Sequence, residues 1–129
     1  MTSFSLRTNQ RAEFIDITDE VAQAVSESGI IDGVVTVFVP HTTAGITINE
    51  NADPSVVRDI ISTLGKLVPR DAGYTHTEGN SDAHIKASLM GSSVQVIVEG
   101  GNLTFGTWQG IYFCEFDGPR SRKVWVSVK

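Results

Sequence analysis

With one cysteine, Cys114, among 129 residues, the chain has no partner for an intrachain disulfide and no thiolate cage for zinc. Stability has to come from packing. No apolar run approaches the roughly 18 residues that a membrane-spanning helix needs, and Met1-Thr2-Ser3-Phe4-Ser5-Leu6-Arg7 lacks a basic segment followed by an apolar one. The expectation is a soluble, cytoplasmic chain without a membrane partner. Basic residues are scarce: ten Lys and Arg against fifteen Asp and Glu give a net charge of −5 and argue against nucleic acid as a partner. Any anion has to be caught by a local arrangement. There is also no internal repeat, low-complexity tract or composition break, so residues 1–129 read as one domain able to bury about two-thirds of its unfolded surface.

The residues that are present mark out strands and short helices. Apolar groups at Phe4/Leu6 and Phe14-Ile15-Asp16-Ile17, parted by Thr8-Asn9-Gln10-Arg11, suit an opening two-strand hairpin. Thr18 with Asp19 and Glu20 reads as a helix start over about Asp19 to Ser28, stopped by Gly29. Val34 to Val39 is β-branched and nearly all apolar, as in a strand covered on both faces, and Pro40 ends it. Ala44 to Asn49 alternates like a strand. Asp53-Pro54 then opens a helix with its apolar stripe at Val57, Ile60, Ile61, Leu64 and Leu67. Pro69 to Asp82 has no period and reads as a loop, after which Ser81 or Asp82 caps a short helix ending at Gly91. Val94–Val98, Ile111–Phe116 and Lys123–Val128 are further strands. The fold class is α+β, a sandwich-like, mainly antiparallel sheet domain with two or three short helices.

Three groups of residues carry chemical interest. His41, His76 and His84 all lie in polar strand-end or loop surroundings, and a neutral imidazole is the commonest metal ligand. Three imidazoles with an open fourth position would describe a catalytic-type zinc site, but no tight zinc spacing occurs, so three separate surface histidines remain an open alternative. Asn49-Glu50-Asn51-Ala52-Asp53 places carboxylates between a strand and the best helix. Asp53 is a helix cap, whereas Glu50 is a general base, a magnesium ligand or a solvated charge. Arg120 or Arg122, after the Asp117-Gly118-Pro119 turn, can fork onto a phosphate; protection of an edge strand is the other reading for Arg122 and Lys123.

Other motifs exclude more than they support. Gly101 and Gly106 have the separation of a phosphate-binding loop, but Thr107 and Trp108 stand where Lys and Ser or Thr are required, and a strand follows. The glycines still imply backbone held close to something, and Trp108 is a core plug or a stacking platform. Cys114 lies mid-strand and reads as packing, and no Gly-x-Ser-x-Gly elbow supports a serine hydrolase.

His41-Thr42-Thr43-Ala44-Gly45 with Ile48-Asn49-Glu50-Asn51-Ala52-Asp53-Pro54, Glu78-Gly79-Asn80-Ser81-Asp82-Ala83-His84-Ile85-Lys86, and Gly106-Thr107-Trp108-Gln109-Gly110-Ile111 with Asp117-Gly118-Pro119-Arg120 closely resemble the YjbQ family, essentially across the whole chain. The resemblance implies a compact α+β domain, a homotrimer, and histidines clustered beside the Glu50 and Asp82 segments. It also implies a secondary thiamine-phosphate synthase activity, in which a pyrimidine methyl diphosphate is joined to a thiazole phosphate with loss of diphosphate. On that basis Glu50, Asp82 and His84 are the catalytic candidates. Thr43, Asn80, Gly106, Thr107, Trp108 and Arg120 are candidate contacts to a small phosphorylated molecule. His41, His76 and His84 are candidate ligands of a divalent metal, zinc first, with magnesium the alternative for a diphosphate substrate. The competing classes are a metal- or anion-binding protein without turnover and a metal-assisted hydrolase.

Overall fold

The computed structural model describes all residues from Met1 to Lys129. The chain runs β1 (Thr2–Arg7), β2 (Glu13–Asp16), α1 (Thr18–Ser28), β3 (Gly33–Phe38), β4 (Ala44–Glu50), α2 (Pro54–Leu67), α3 (Ser81–Met90), β5 (Ser93–Glu99), β6 (Asn102–Thr104), β7 (Gln109–Glu115) and β8 (Ser121–Val128). Two antiparallel sheets form, one of order β1-β8-β3-β5-β6 and one of order β2-β7-β4. Every predicted strand and helix is present. The three-residue β6 has no expectation behind it, being too short to show alternation, and it forms because Gly100 and Gly101, at φ of 60° and 79°, turn the chain back onto β5.

The sheets pack face to face. Val35 and Val37 of β3, Val96 and Val98 of β5 and Val124 and Val126 of β8 meet Ile46 of β4 and Ile111 and Phe113 of β7 in one core. Helix α1 adds Val21 and Val25 to that core, each at 1% exposure or less and each worth roughly 1.5–3 kcal/mol of apolar burial. On the far side of the smaller sheet, Tyr112, Cys114 and Phe116 pack against Ala83 and Ala87 of α3 and against Val57 and Leu64 of α2. Strand β7 is thereby covered on both faces. Helix α3 approaches β4 closely because Gly45 has no side chain: a Cβ there would lie 2.8 Å from the Gly91 carbonyl oxygen and 3.0 Å from Met90 Cβ.

Several local expectations are corrected by long-range pairing. β1 and β2 are not a hairpin: β1 pairs with β8 and β2 with β7, because residues 8–12 carry the chain from one sheet to the other. β3 is covered on one face only, and Val34 and Phe38 stand 39% exposed on the outer face of the larger sheet, beside Ile97 and Trp125. β8 is not an edge strand, since β1 and β3 flank it. The caps also shift. Ile17, not Thr18, holds the N-cap position of α1, and Thr18 Oγ1 donates to Asp16 at 2.6 Å. Asn80 precedes α3 without capping it. Asp53 caps α2 as expected, accepting from the Ser55 N–H at 2.9 Å.

Candidate functional site

Four segments converge at one end of the sandwich: residues 40–43 between β3 and β4, the loop and first turn of α3 around residues 78–84, the turn after β7, and the start of β8. Backbone bonds knit them, with Phe116 N–H donating to the Thr43 carbonyl at 3.3 Å and Gly118 N–H to the Arg11 carbonyl at 3.0 Å. Gly118 is required there, because a Cβ would overlap the Gln10 carbonyl and lie 2.8 Å from Thr8 Oγ1. Between the segments lies a cleft of about 390 Å³ walled by His41, Thr42, Thr43, Glu78, Asn80, His84, Asp117, Arg120, Arg122 and Pro40. Its side chains are polar throughout, Pro40 aside.

The floor of the cleft is a buried ion pair. Glu115 is fully buried and accepts from Arg122 Nε at 2.9 Å and from Arg122 Nη2. It also accepts from Thr8 Oγ1 at 2.7 Å and from the backbone N–H groups of Phe116 and Asp117 at 3.1 and 3.0 Å. Burial opposes the charge on Glu115, but the bonds from Arg122, Thr8 and Asp117 overcome it and hold the carboxyl below its ordinary range. Arg122 also donates to Thr43 Oγ1 at 2.9 Å, so its charge is spent on structure and it is not the phosphate fork. Asp117 accepts from Asn80 Nδ2 and Arg120 Nη2, both at 2.9 Å, and from Arg11 Nη1 at 3.4 Å.

Two uncommitted groups face the cleft. The Arg120 side chain is half-exposed, its Nε bound to the Asp117 carbonyl at 2.8 Å and its Nη2 to the Asp117 carboxylate, which leaves Nη1 without a protein partner. Asn80 Oδ1 is buried and has no hydrogen-bond donor. A buried acceptor beside a held guanidinium suits a ligand that brings both negative oxygens and a hydroxyl or N–H.

The three histidines lie near this end of the sandwich, His41 and His84 in the cleft wall and His76 against His84. His41 Nε2 accepts from the Lys123 backbone N–H at 2.9 Å, continuing the β8 ladder past the end of β3. Burial, then the Arg122 charge, lowers the His41 pKa and keeps the ring neutral. A neutral imidazole has one lone pair and one N–H, so with Nε2 accepting from Lys123 the ring presents Nδ1–H as a donor. His76 meets His84 edge-on at 5.4 Å between ring centroids and lies 3.7 Å from Glu78. Within the chain no three His, Cys, Asp or Glu side chains converge as a metal-holding group.

The remaining candidates separate in space. Thr43, Asn80, His84 and Arg120 line the cleft. Asp82, 1% exposed, accepts from Arg11 Nη2 and Lys86 Nζ at 3.0 Å each and does not line it. Burial opposes its ionisation, but Lys86 and Arg11 outweigh this and lower its pKa, so Asp82 is a structural anchor. Glu50, Gly106, Thr107 and Trp108 lie at the opposite end: Ala44 pairs with Glu115 and Glu50 with Gln109, placing Glu50 about 20 Å along β4 from the cleft. The Gly106 N–H is taken by Gln109 Oε1 at 2.7 Å, and Gly110 makes room for the Asn51 side chain, so this glycine-rich segment is explained by turn and packing. Trp108 is 61% exposed and plugs no core. Cys114 is fully buried, and burial pushes its thiol pKa far up. Arg11 and Asp117, which position Arg120, were missed as site residues, and no local pattern marks Arg11.

Residues 2–129 match the family model described as UPF0047 protein YjbQ-like. A UPF0047 protein of Methanocaldococcus jannaschii is 55% identical over 125 residues, covering 97% of this chain and 91% of that protein. The UPF0047 protein YugU of Bacillus subtilis is 49% identical over 129 residues, covering 99% and 98%. The crystal structure of a YjbQ/UPF0047 family protein of Clostridium acetobutylicum shares 62% identity and superposes with a TM-score of 0.99 over 100% of both chains. The chain belongs to the YjbQ/UPF0047 family, and its sandwich with three helices is that family's fold.

Proposed function

We propose that the polar cleft binds a small phosphorylated molecule, and that the chain is a thiamine-phosphate synthase-like transferase joining a pyrimidine methyl diphosphate to a thiazole phosphate with release of diphosphate. The observation that carries the reading is Arg120, held at two nitrogens by Asp117 with the third free in a wholly polar recess. Arg120 supplies a pre-oriented guanidinium, His41 an Nδ1–H donor, and Thr42 and Thr43 hydroxyls, all suited to phosphate oxygens. Asn80 Oδ1 accepts a hydroxyl or N–H of the ligand. Glu78, the one cleft carboxylate without an arginine or lysine partner, is the side chain that would meet a magnesium ion carried by a diphosphate. When the bond to diphosphate breaks, its electron pair leaves on the diphosphate oxygen, and these donors stabilise that charge.

Glu50 and Trp108 reach the cleft only from another copy, so the reading includes a homotrimer in which the Glu50 end of one chain closes the cleft of the next. Such a head-to-tail contact closes into a ring when the rotation allows it. Steady-state kinetics tests the activity: kcat/KM of about 10⁴ M⁻¹s⁻¹ or above is expected of a specific transferase. A value orders of magnitude lower assigns the cleft to binding without turnover. Arg120→Lys should lower kcat/KM: a rise in KM alone marks a contact equal in ground and transition states, and a fall in kcat marks one that strengthens as charge develops on the diphosphate.

A further inference from the structure

The two sheets have four edge strands, and three of them offer little to an incoming chain. β6 and β2 are only three and four residues long, and β4 gives its Ile46 N–H to the Gly91 carbonyl at the end of α3, at 3.1 Å. β1 is the exception. Its six residues have one neighbour, β8, and Thr2 to Leu6 carries neither a charge nor a proline, the usual guards of an exposed edge. The alternation of the ladder identifies the free groups. Val34 and Lys129 exchange both backbone bonds, so odd-numbered β8 residues bond to β3 and even-numbered ones to β1. Thr2, Phe4 and Leu6 are therefore paired to β8, whereas Ser3, Ser5 and Arg7 turn their N–H and C=O groups to the open side.

A groove of about 370 Å³ lies beside this edge, between β1 and α1, and shares no residue with the polar cleft. Phe4 and Ala24 give it an apolar floor, and its rim is the exposed face of α1 with Asp19, Glu20, Gln23 and Glu27. α1 has no basic residue, and none of its three carboxylates meets a lysine, an arginine or the amino terminus at ion-pair distance. We infer that β1 and this groove are a docking site for an extended basic segment of another polypeptide. The segment adds to β1 as an antiparallel strand and lays lysine or arginine side chains over Phe4 and Ala24 toward Asp19, Glu20 and Glu27. Edge addition supplies the backbone bonds and the groove selects the partner. Aliphatic stems cover the apolar floor while the charged heads reach the carboxylates at the rim. The same charges oppose a second copy as the occupant: pairing β1 with β1 in one continuous sheet keeps both inner faces on one side and brings two acidic α1 helices together across the seam.

Fluorescence anisotropy with a labelled peptide of alternating lysine and valine tests this on the full chain. With the lysines over the groove, the valine N–H groups face β1 and the lysine N–H groups face solvent. N-methylation of the valines should weaken binding about tenfold or more, and N-methylation of the lysines should leave it within about threefold. Amide hydrogen exchange of Ser3 and Ser5 should slow when the unmethylated peptide binds. Glu20→Lys with Glu27→Lys should weaken binding about tenfold or more, whereas Asp59→Lys with Asp71→Lys, the same change in net charge on exposed residues elsewhere, should leave it within about threefold. Ser3→Pro removes one outward N–H and no bond to β8, so it should keep Tm and lose the peptide. No binding, equal effects of the two methylations, or unchanged exchange at Ser3 and Ser5 overturns the edge pairing. A loss in the Asp59 and Asp71 variant as large as in the Glu20 and Glu27 variant overturns the groove and assigns the peptide to net charge alone. An oligomer that light scattering detects in the wild type and not in Ser3→Pro means that a second copy holds the edge, which overturns the proposal as well.

Discussion

Replacing Arg122 by Met is the sharpest test of how the cleft is held together. Methionine retains most of the length and apolar stem of arginine but removes the charge, leaving Glu115 fully buried with one hydroxyl and two backbone N–H donors. Breaking a buried pair on one side costs about 3–5 kcal/mol, because the surviving charge keeps its desolvation penalty and loses its partner. For a domain of this size that is a fall of about 10–20 °C in Tm. Glu115→Gln combined with Arg122→Met should recover a substantial part of the loss, since the amide is far cheaper to bury than an unpaired carboxylate. The pH dependence has a definite sign. In the wild type the Glu115 carboxyl is held below 4.5, its ordinary value, so its contribution is present above that pH and is lost as pH falls through the folded-state value. Without Arg122, burial dominates and raises the folded pKa, so protonation favours the folded variant. The stability gap between wild type and Arg122→Met should therefore narrow from pH 7 to pH 4. Urea unfolding at the two pH values measures it; a gap under about 1 kcal/mol at neutral pH, or one that does not narrow, would refute the reasoning.

Three further outcomes are expected. Mixed trimers of Glu50→Gln and Arg120→Ala chains, each inactive alone, should regain about a quarter of wild-type activity, because in a ring of composite sites a random half-and-half mixture leaves that fraction of sites intact; no regain means that one chain carries the whole site. His41 is kept neutral in the fold, so the unfolded chain takes up its proton near pH 6.5 while the folded chain does not, and stability should decline as pH drops below that value. His41→Gln should flatten the urea midpoint between pH 6.5 and 5.5, and an unchanged slope argues against the Lys123 contact. Gly45→Val should lower Tm by several degrees, because the added side chain meets the Gly91 carbonyl and Met90 at a packed helix–strand contact; an unchanged Tm in thermal unfolding would show that α3 can shift.

How much of this was legible in the sequence follows from the range of each interaction. Asp53-Pro54 starts α2 through bonds made within three residues, and Val34 to Val39 is a strand because β-branched side chains favour extended backbone wherever it pairs. His41, Asn80, His84 and Arg120 stood out because polar residues gathered after strands and in a glycine-marked loop have no core to serve, Thr43 came only with the family resemblance, and those five do line one cleft. Partnership was not legible. Arg122 looks the same in sequence as Arg120, yet Arg122 is buried on Glu115, seven residues away across a turn, while Arg120, paired with Asp117, stands half-exposed at the cleft. Glu50 and Asp82 each resemble a catalytic carboxylate locally. The register of β4 on β7 carries Glu50 to the opposite end of the sheet, and Arg11, 71 residues from Asp82, joins Lys86 in fixing its charge. Local chemistry determines which elements form, whereas the packing of the two sheets decides which charges are spent on holding the fold and which face a ligand, since that depends on contacts between residues remote in the chain.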